Sequence, residues 1–302
     1  MTWLWIPITI AAALLQNIRT ALQKHLKGRL STNAATYTRY VFGFPLAILY
    51  LVTLNVVFGE ALPAFNWGFA AWMATGALTQ IVATSLLLYA FTYKNFAVGV
   101  AYSKTEVIQA AVFGLVFLGE TVTGFGAVAI VSGTIGVMLM SLDRSQPPGR
   151  AFLLGWTERP ALIGIASGGV FAISAVAFRA ASLALRHPDF LIAAAYTVVF
   201  ATVLQTLLLT AYLYVRERDQ IRLVFSHWRI ASLPSVAGVL GTICWLTAMT
   251  LQSVAYVRTL GLIELVFTFA ISVFAFREKP AKNELAGVAL LVAGIALVLN
   301  VR

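Results

Sequence analysis

Apolar stretches of similar length alternate with short polar joints along the whole chain. Ten can be bounded, at about 3–23, 34–58, 66–91, 96–118, 122–142, 160–185, 190–215, 228–252, 255–276 and 283–301. A helix that crosses a bilayer needs about 20 mostly apolar residues, so each stretch predicts one transmembrane helix. No run alternates apolar and polar positions with period 2, which excludes a membrane β-barrel. The pattern predicts an all-α integral membrane protein of ten transmembrane helices, with no room for a further domain. The longest joints, around 143–159 and 216–227, are expected to be loops. The first contains Pro147, Pro148 and Gly149 and reads as a linker between two halves. The opening stretch is too long, and too polar at its end (Gln16, Asn17, Arg19), for a cleaved signal, and is expected to be retained.

The chain also matches itself at an offset near 158–160. Ala34-Ala35-Thr36-Tyr37-Thr38 pairs with Ala193-Ala194-Ala195-Tyr196-Thr197, Arg19 with Arg179, Glu106 with Glu264, Glu120 with Glu278, and Gly136 with Gly294. This predicts a first five-helix repeat over 1–145, a linker over 146–159 and a second repeat over 160–302. Five is odd, so the second copy enters the membrane upside down. Inverted repeats of this kind are typical of secondary transporters, with the substrate near the midplane between the copies.

Composition removes the soluble alternatives. Apolar residues make up 60% of the 302 and charged residues 11%, against roughly 45–50% and about 25% in soluble domains. The single cysteine, Cys244, cannot form an intrachain disulfide. The net charge of +10 is unevenly spread. Of 21 Lys and Arg residues, 14 fall in the joints after helices 1, 3, 5, 7 and 9, and two (Arg186 and Arg302) on the opposite side. The positive-inside rule then makes the basic joints cytoplasmic and puts both termini outside, in a multi-pass protein of the cell (inner) membrane. Topology and attraction to anionic headgroups account for the charge, with no nucleic-acid partner.

Several local sequences resemble the drug/metabolite transporter superfamily, EamA type. They are Gln16-Asn17, Thr38-Arg39-Tyr40, Phe117-Leu118-Gly119-Glu120 with its copy Ala275-Phe276-Arg277-Glu278, and the glycines Gly126, Gly133, Gly136, Gly287 and Gly294. The resemblance covers nearly the whole chain. It implies a ten-helix carrier whose central cavity is lined mainly by helices 1, 3, 4, 6, 8 and 9. The chain departs from the family in two respects. Members usually carry a proline partway along helices 4 and 9, where this chain has Val107 and Leu265. Members also usually keep both termini in the cytoplasm and have basic residues between helices 2 and 3, where this chain reads Gly59-Glu60-Ala61-Leu62-Pro63.

Seven ionisable residues fall inside the predicted spans and away from their end residues: Arg19, Arg39, Lys104, Glu106, Arg179, Arg258 and Glu264. A charge at the bilayer centre costs at least about 2.5–3.5 kcal/mol, so such residues face the bundle interior and mark pairs or pathways. Glu106 and Glu264 are the two mid-span acids, related by the repeat. They could carry coupling protons or meet a substrate ammonium. Equally, cross-pairs such as Lys104 with Glu264 would give the same residues a structural role. Basic residues on these helices bind the anionic group in related phosphate and nucleotide-sugar carriers, so the resemblance makes Lys104 and Arg258 candidate substrate contacts. Arg19 and Arg179 gain weight from their symmetry, whereas Arg39, near a helix start, reads as snorkelling or paired. Gln16, Asn17, Tyr102, Gln109, Trp245 and Tyr256 add polar or aromatic candidates on the cavity helices, with packing as the alternative.

Phosphate-loop, metal-ligand and Ser-His-acid patterns are missing from the sequence, and His25, His187 and His227 are isolated. The chain is therefore expected to be neither an enzyme nor dependent on a metal or cofactor. Its partners are expected to be the lipid bilayer, a small-molecule solute and protons, with a monomer as the default. The reading is a secondary active transporter of a small polar organic metabolite, an amino acid or other zwitterion or an organic anion, working by alternating access. The alternatives are a lipid-linked head-group or drug exporter of the same superfamily, a channel, and a non-transporting membrane subunit.

Overall fold

A computed structural model describes residues 3–26, 30–90, 102–140, 159–274, 277 and 280–300. The linker expected over 146–159 lies outside these residues except for its last one. So do the start of the stretch 96–118 and Ala275, Phe276 and Glu278. The described residues form helices and short joints, with no strand among them. In chain order the helices are α1 (Trp5–Leu26), α2 (Thr32–Val41), α3 (Phe44–Phe58), α4 (Trp67–Ala90), α5 (Glu106–Leu118), α6 (Gly124–Met140) and α7 (Arg159–Ala184). They continue with α8 (Phe190–Arg216), α9 (Arg218–Ser226), α10 (Trp228–Ala231), α11 (Leu233–Leu251), α12 (Val254–Gly261), α13 (Ile263–Phe274) and α14 (Lys282–Leu299). Among the described residues, six helical stretches are long and apolar enough to cross a membrane: Thr32–Phe58, Trp67–Leu87, Arg159–Ala184, Phe190–Arg216, Trp228–Leu251 and Lys282–Leu299. Large apolar side chains such as Trp67, Val215 and Phe274 stand exposed, as expected of surfaces that face lipid.

Element boundaries recur at a fixed spacing. Thr32 and Phe190 open helices 158 residues apart, and so do Gly124 and Lys282. Phe58 and Arg216 close helices at the same separation. The caps recur too. Ser31 Oγ accepts the Ala34 N–H at 3.2 Å and Asp189 Oδ1 accepts the Ile192 N–H at 2.9 Å, each satisfying an orphan donor of a helix start.

Local chemistry divides three of the predicted stretches. The stretch 34–58 breaks at Phe42-Gly43, where Pro45 lacks an N–H and its ring crowds the preceding turn. A side chain at Gly43 would collide with the Arg39 carbonyl oxygen. The stretch 255–276 divides at Leu262 into α12 and α13. The stretch 228–252 begins as the short α10 and restarts at α11, with Pro234 in the first turn. The joint 216–227, expected to be a loop, is largely helical as α9. Val224 is buried there while Arg218 and Arg222 are exposed. Nine residues are too few for a helical period to stand out in the sequence.

The chain packs as two compact units, residues 1–81 with 177–252, and residues 82–176 with 253–302. In the first, α1 lies against α11, where a Cβ on Gly241 would sit 3.4 Å from Leu15 Cβ. One core brings Leu30, Ala34, Tyr37 and Tyr40 against Leu209, Leu213 and Val224. Glu217 joins α8 to α9 and ties both to the start of α2. It accepts from Ser31 Oγ, and from Asn33 Nδ2 at 2.7 Å. In the second unit, α6 and α14 meet backbone to backbone: a Cβ on Gly136 would lie 2.6 Å from Gly287 O, and one on Gly294 would lie 2.8 Å from Ala129 O. Small residues permit this closeness, as they do generally between membrane helices.

Candidate functional site

The second unit brings together the four charges singled out on helices 4 and 9. Glu106 is the first residue of α5. Ahead of it the backbone stays in the right-handed helical region but tightens into a turn of i→i−3 bonds, in which Thr105 N–H donates to Tyr102 O at 3.2 Å and Val107 N–H to Lys104 O at 3.2 Å. Gly168 of α7 lies against this turn. A Cβ there would be 2.5 Å from Ser103 O and 3.1 Å from Glu106 N. Glu264 lies in the first turn of α13, after a similar break in which Leu265 N–H donates to Leu262 O at 2.9 Å. Both acids therefore stand where the helix dipole favours negative charge. Neither break needs a proline.

Each acid faces a cation from the other helix. Lys104 Nζ lies 2.5 Å from Glu264 Oε1, and Arg258 Nε lies 3.1 Å from Glu106 Oε1. Both carboxylates are buried, at 9% exposure for Glu106 and 6% for Glu264. The quartet is neutral as a whole and strapped across two helix breaks. Removing one charge from the quartet would leave its partner's charge buried and uncompensated.

Other candidates in this unit are engaged in packing. Gln109 Nε2 donates to Thr105 Oγ1 at 2.9 Å and to Ile165 O at 3.3 Å. Tyr102 packs with Met138 and Ala161. Tyr256 lies over Gly126, and its hydroxyl accepts the Thr123 N–H at 3.1 Å.

The first unit gathers a second set. Gln16 and Arg19 of α1, Arg39 of α2, and Thr242 and Trp245 of α11 line one open cavity. Arg39 Nη2 donates to Thr242 Oγ1 at 2.9 Å, and Trp245 Nε1 donates to Gln16 Oε1 at 3.1 Å. Sequence reasoning pointed to Gln16, Arg19 and Trp245, read Arg39 as snorkelling or paired, and passed over Thr242. The available signal was Arg39 itself, a cation inside an apolar stretch. Asn17 is half-buried on α1 and is not among the residues lining this cavity. Arg179 binds backbone: its Nη1 donates to Met249 O, and to Gln252 O at 2.6 Å. These contacts hold the C-terminal end of α11, where a cation complements the dipole.

The EamA-like transporter family model matches residues 160–300. No curated protein matches the chain. A solved crystal structure described only as that of a protein aligns with a TM-score of 0.68 at 16% identity, over 97% of this chain and 95% of the other. At that identity the likeness is one of fold. The matched family belongs to the drug/metabolite transporter superfamily, whose members are membrane transporters.

Proposed function

We propose, from the match of residues 160–300 to the EamA-like transporter family, that this multi-pass membrane protein is a secondary carrier of a small polar organic solute. It works by alternating access between two inverted five-helix repeats, ten spans in all. The observation that carries the reading is the buried quartet, with Glu106 and Glu264 at helix breaks 158 residues apart and each paired with a cation of the other helix. The recurrence of helix starts and N-caps at the same spacing supports the repeat. Ion pairs at broken helices are suited to gating, because a small rotation of either half-helix exchanges one charge partner for another. A zwitterion fits this exchange well. Its carboxylate takes the place of a glutamate on Lys104 or Arg258, and its ammonium takes the freed acid. An organic anion fits if a proton neutralises the displaced glutamate, which would couple transport to protons.

The test is counterflow in proteoliposomes loaded in turn with amino acids and with organic anions. The expected result is saturable, transient accumulation of the labelled solute above equilibrium. Glu264→Gln should reduce its rate by about tenfold or more, a barrier change of at least about 1.4 kcal/mol. Non-saturable flux would identify a channel and overturn the carrier reading. Full counterflow in Glu264→Gln would remove the quartet from the mechanism.

A further inference from the structure

The joint that carries α9 lies between two stretches long and apolar enough to cross a membrane, Phe190–Arg216 and Trp228–Leu251. One face of α9 is fixed to the first unit. Val224 is buried, Ile221 packs on the same core, and Gln220 Oε1 accepts the Ser31 N–H at 2.9 Å. Residues three and four apart share a helix face. Arg218, Arg222 and Phe225 hold that spacing on another face, and all three are exposed. Arg216 and Arg229, at the two ends of the joint, are exposed as well. Of the two acids here, Glu217 is engaged by Ser31 and Asn33, and Asp219 is exposed. Two of the arginines rest on exposed aromatic rings. The Arg218 guanidinium lies 4.6 Å from the centre of the Tyr214 ring and donates to its hydroxyl at 3.2 Å. The Arg229 guanidinium lies 5.6 Å from the Trp228 ring. Beside these rings, Val215 of α8 and Leu233 of α11 are exposed apolar residues.

We propose that this joint is a docking surface for an anionic phospholipid leaflet: Arg218, Arg222 and Arg229 hold headgroup phosphates, with Tyr214 and Trp228 set at headgroup level. Tyrosine and tryptophan favour that level because one end of each ring system is apolar and the other polar. A guanidinium fork matches phosphate oxygens, and it stacks on an aromatic face without losing its donors. A side chain already held by a ring loses less freedom when a phosphate binds. Charge complementarity selects an anionic leaflet as the occupant. So does continuity, since the exposed apolar sides of α8 and α11 run directly into the cationic joint. Gln220 and Glu217 tie α9 to the start of α2, so lipid seated on α9 stabilises the first unit and not the joint alone. The general attraction of basic joints to anionic headgroups is thereby concentrated on one built surface, whatever solute the protein carries.

The test uses the purified full chain in uncharged detergent, where all its faces are reached, with thermal unfolding followed as short-chain phosphatidylglycerol is titrated in. The lipid should raise the melting temperature saturably, and phosphatidylcholine of the same chain length should not. Arg218→Gln, Arg222→Gln and Arg229→Gln should each weaken the apparent affinity by about fivefold, the weight of one basic residue at an anionic surface. The triple variant should lose the saturable shift. Arg186→Gln removes an exposed charge elsewhere and should leave the affinity unchanged. Tyr214→Leu removes no charge but takes the support from Arg218, and should also weaken binding. The lipid-free midpoint of each variant is its own reference, so a change in basal stability does not enter. An equal shift from inorganic phosphate at the same concentration would overturn the lipid assignment and identify a soluble-anion site. A dimer that dissociates in the triple variant, measured by light scattering, would put a second copy on this surface instead. No response in the wild type, or one undiminished in the triple variant, would overturn the surface. Unchanged affinity in Tyr214→Leu would reduce it to diffuse charge attraction and overturn the built site.

Discussion

A carboxylate held among apolar helices persists as an anion only with a counter-charge beside it. Lys104 supplies that charge to Glu264 at 2.5 Å, with side-chain exposures of 20% and 8%. Lys104→Gln therefore strands a buried carboxylate and should destabilise the protein by about 3–5 kcal/mol. Adding Glu264→Gln should restore part of the loss, because the second change removes the stranded charge. Thermal unfolding of the wild type, both single variants and the double variant measures the coupling. Strictly additive losses would mean that the pair does not act as a unit. Both acids were legible in the sequence, since an acid midway along an apolar stretch has few explanations. The pairing was legible only as one arrangement among several, because two cations shared the same two helices. Arg39 was not legible as a cavity residue. Its bonding partner Thr242 lies 203 residues away, and nothing near Arg39 in the chain states which way it points. Arg179 shows the converse. Its symmetry with Arg19 suggested a shared role, yet it binds the carbonyls that end α11.

Apolar length made the long helices visible, while turns and close approaches decided where they break. Members of the family that the sequence resembles usually carry prolines where this chain has Val107 and Leu265. The chain breaks there with tight hydrogen-bonded turns instead, and Gly168 gives α7 room to lie against the turn before Glu106. The contact between α6 and α14 depends on glycine in the same way. A methyl at Gly136 would meet Gly287 O at 2.6 Å and Leu291 N at 2.8 Å, both backbone atoms, whereas a methyl at Gly124 of the same helix meets nothing within 4 Å. Gly136→Ala should therefore cost about 1–3 kcal/mol through overpacking, and Gly124→Ala should be close to neutral. Unfolding midpoints of the two variants in one detergent make the comparison. Equal midpoints would mean that the helices part without penalty. The glycines were legible as small residues on apolar helices, but their partners were not, because the packing follows from helix placement.

At the scale of the whole molecule, sequence halves and packing units divide the chain differently. Self-comparison reveals a spacing near 158 residues, because an offset is a property of the sequence. The compact units each combine chain from both sides of residues 146–159, and no local pattern announces which helices will pack together. Sidedness is a whole-molecule property too, and α9 bears on it. Its nine residues extend about 14 Å, under half of the roughly 30 Å hydrocarbon core. It cannot carry the chain across, so Arg216, Arg218, Arg222 and Arg229 stay on one side of the membrane. They belong to the 14 basic joint residues that oppose Arg186 and Arg302, each worth about 1 kcal/mol against an anionic cytoplasmic leaflet. On the proposed ten spans, that bias predicts a C-terminus on the outside. A phosphatase fused after Arg302 should be active at the cell surface, and a fluorescent protein fused at the same point should stay dark. Neutralising Arg216, Arg218, Arg222 and Arg229 together should move part of the population to the opposite orientation, giving both fusions intermediate signals. A bright fluorescent fusion with silent phosphatase in the unaltered chain would show that its orientation follows the family habit rather than its own charge count.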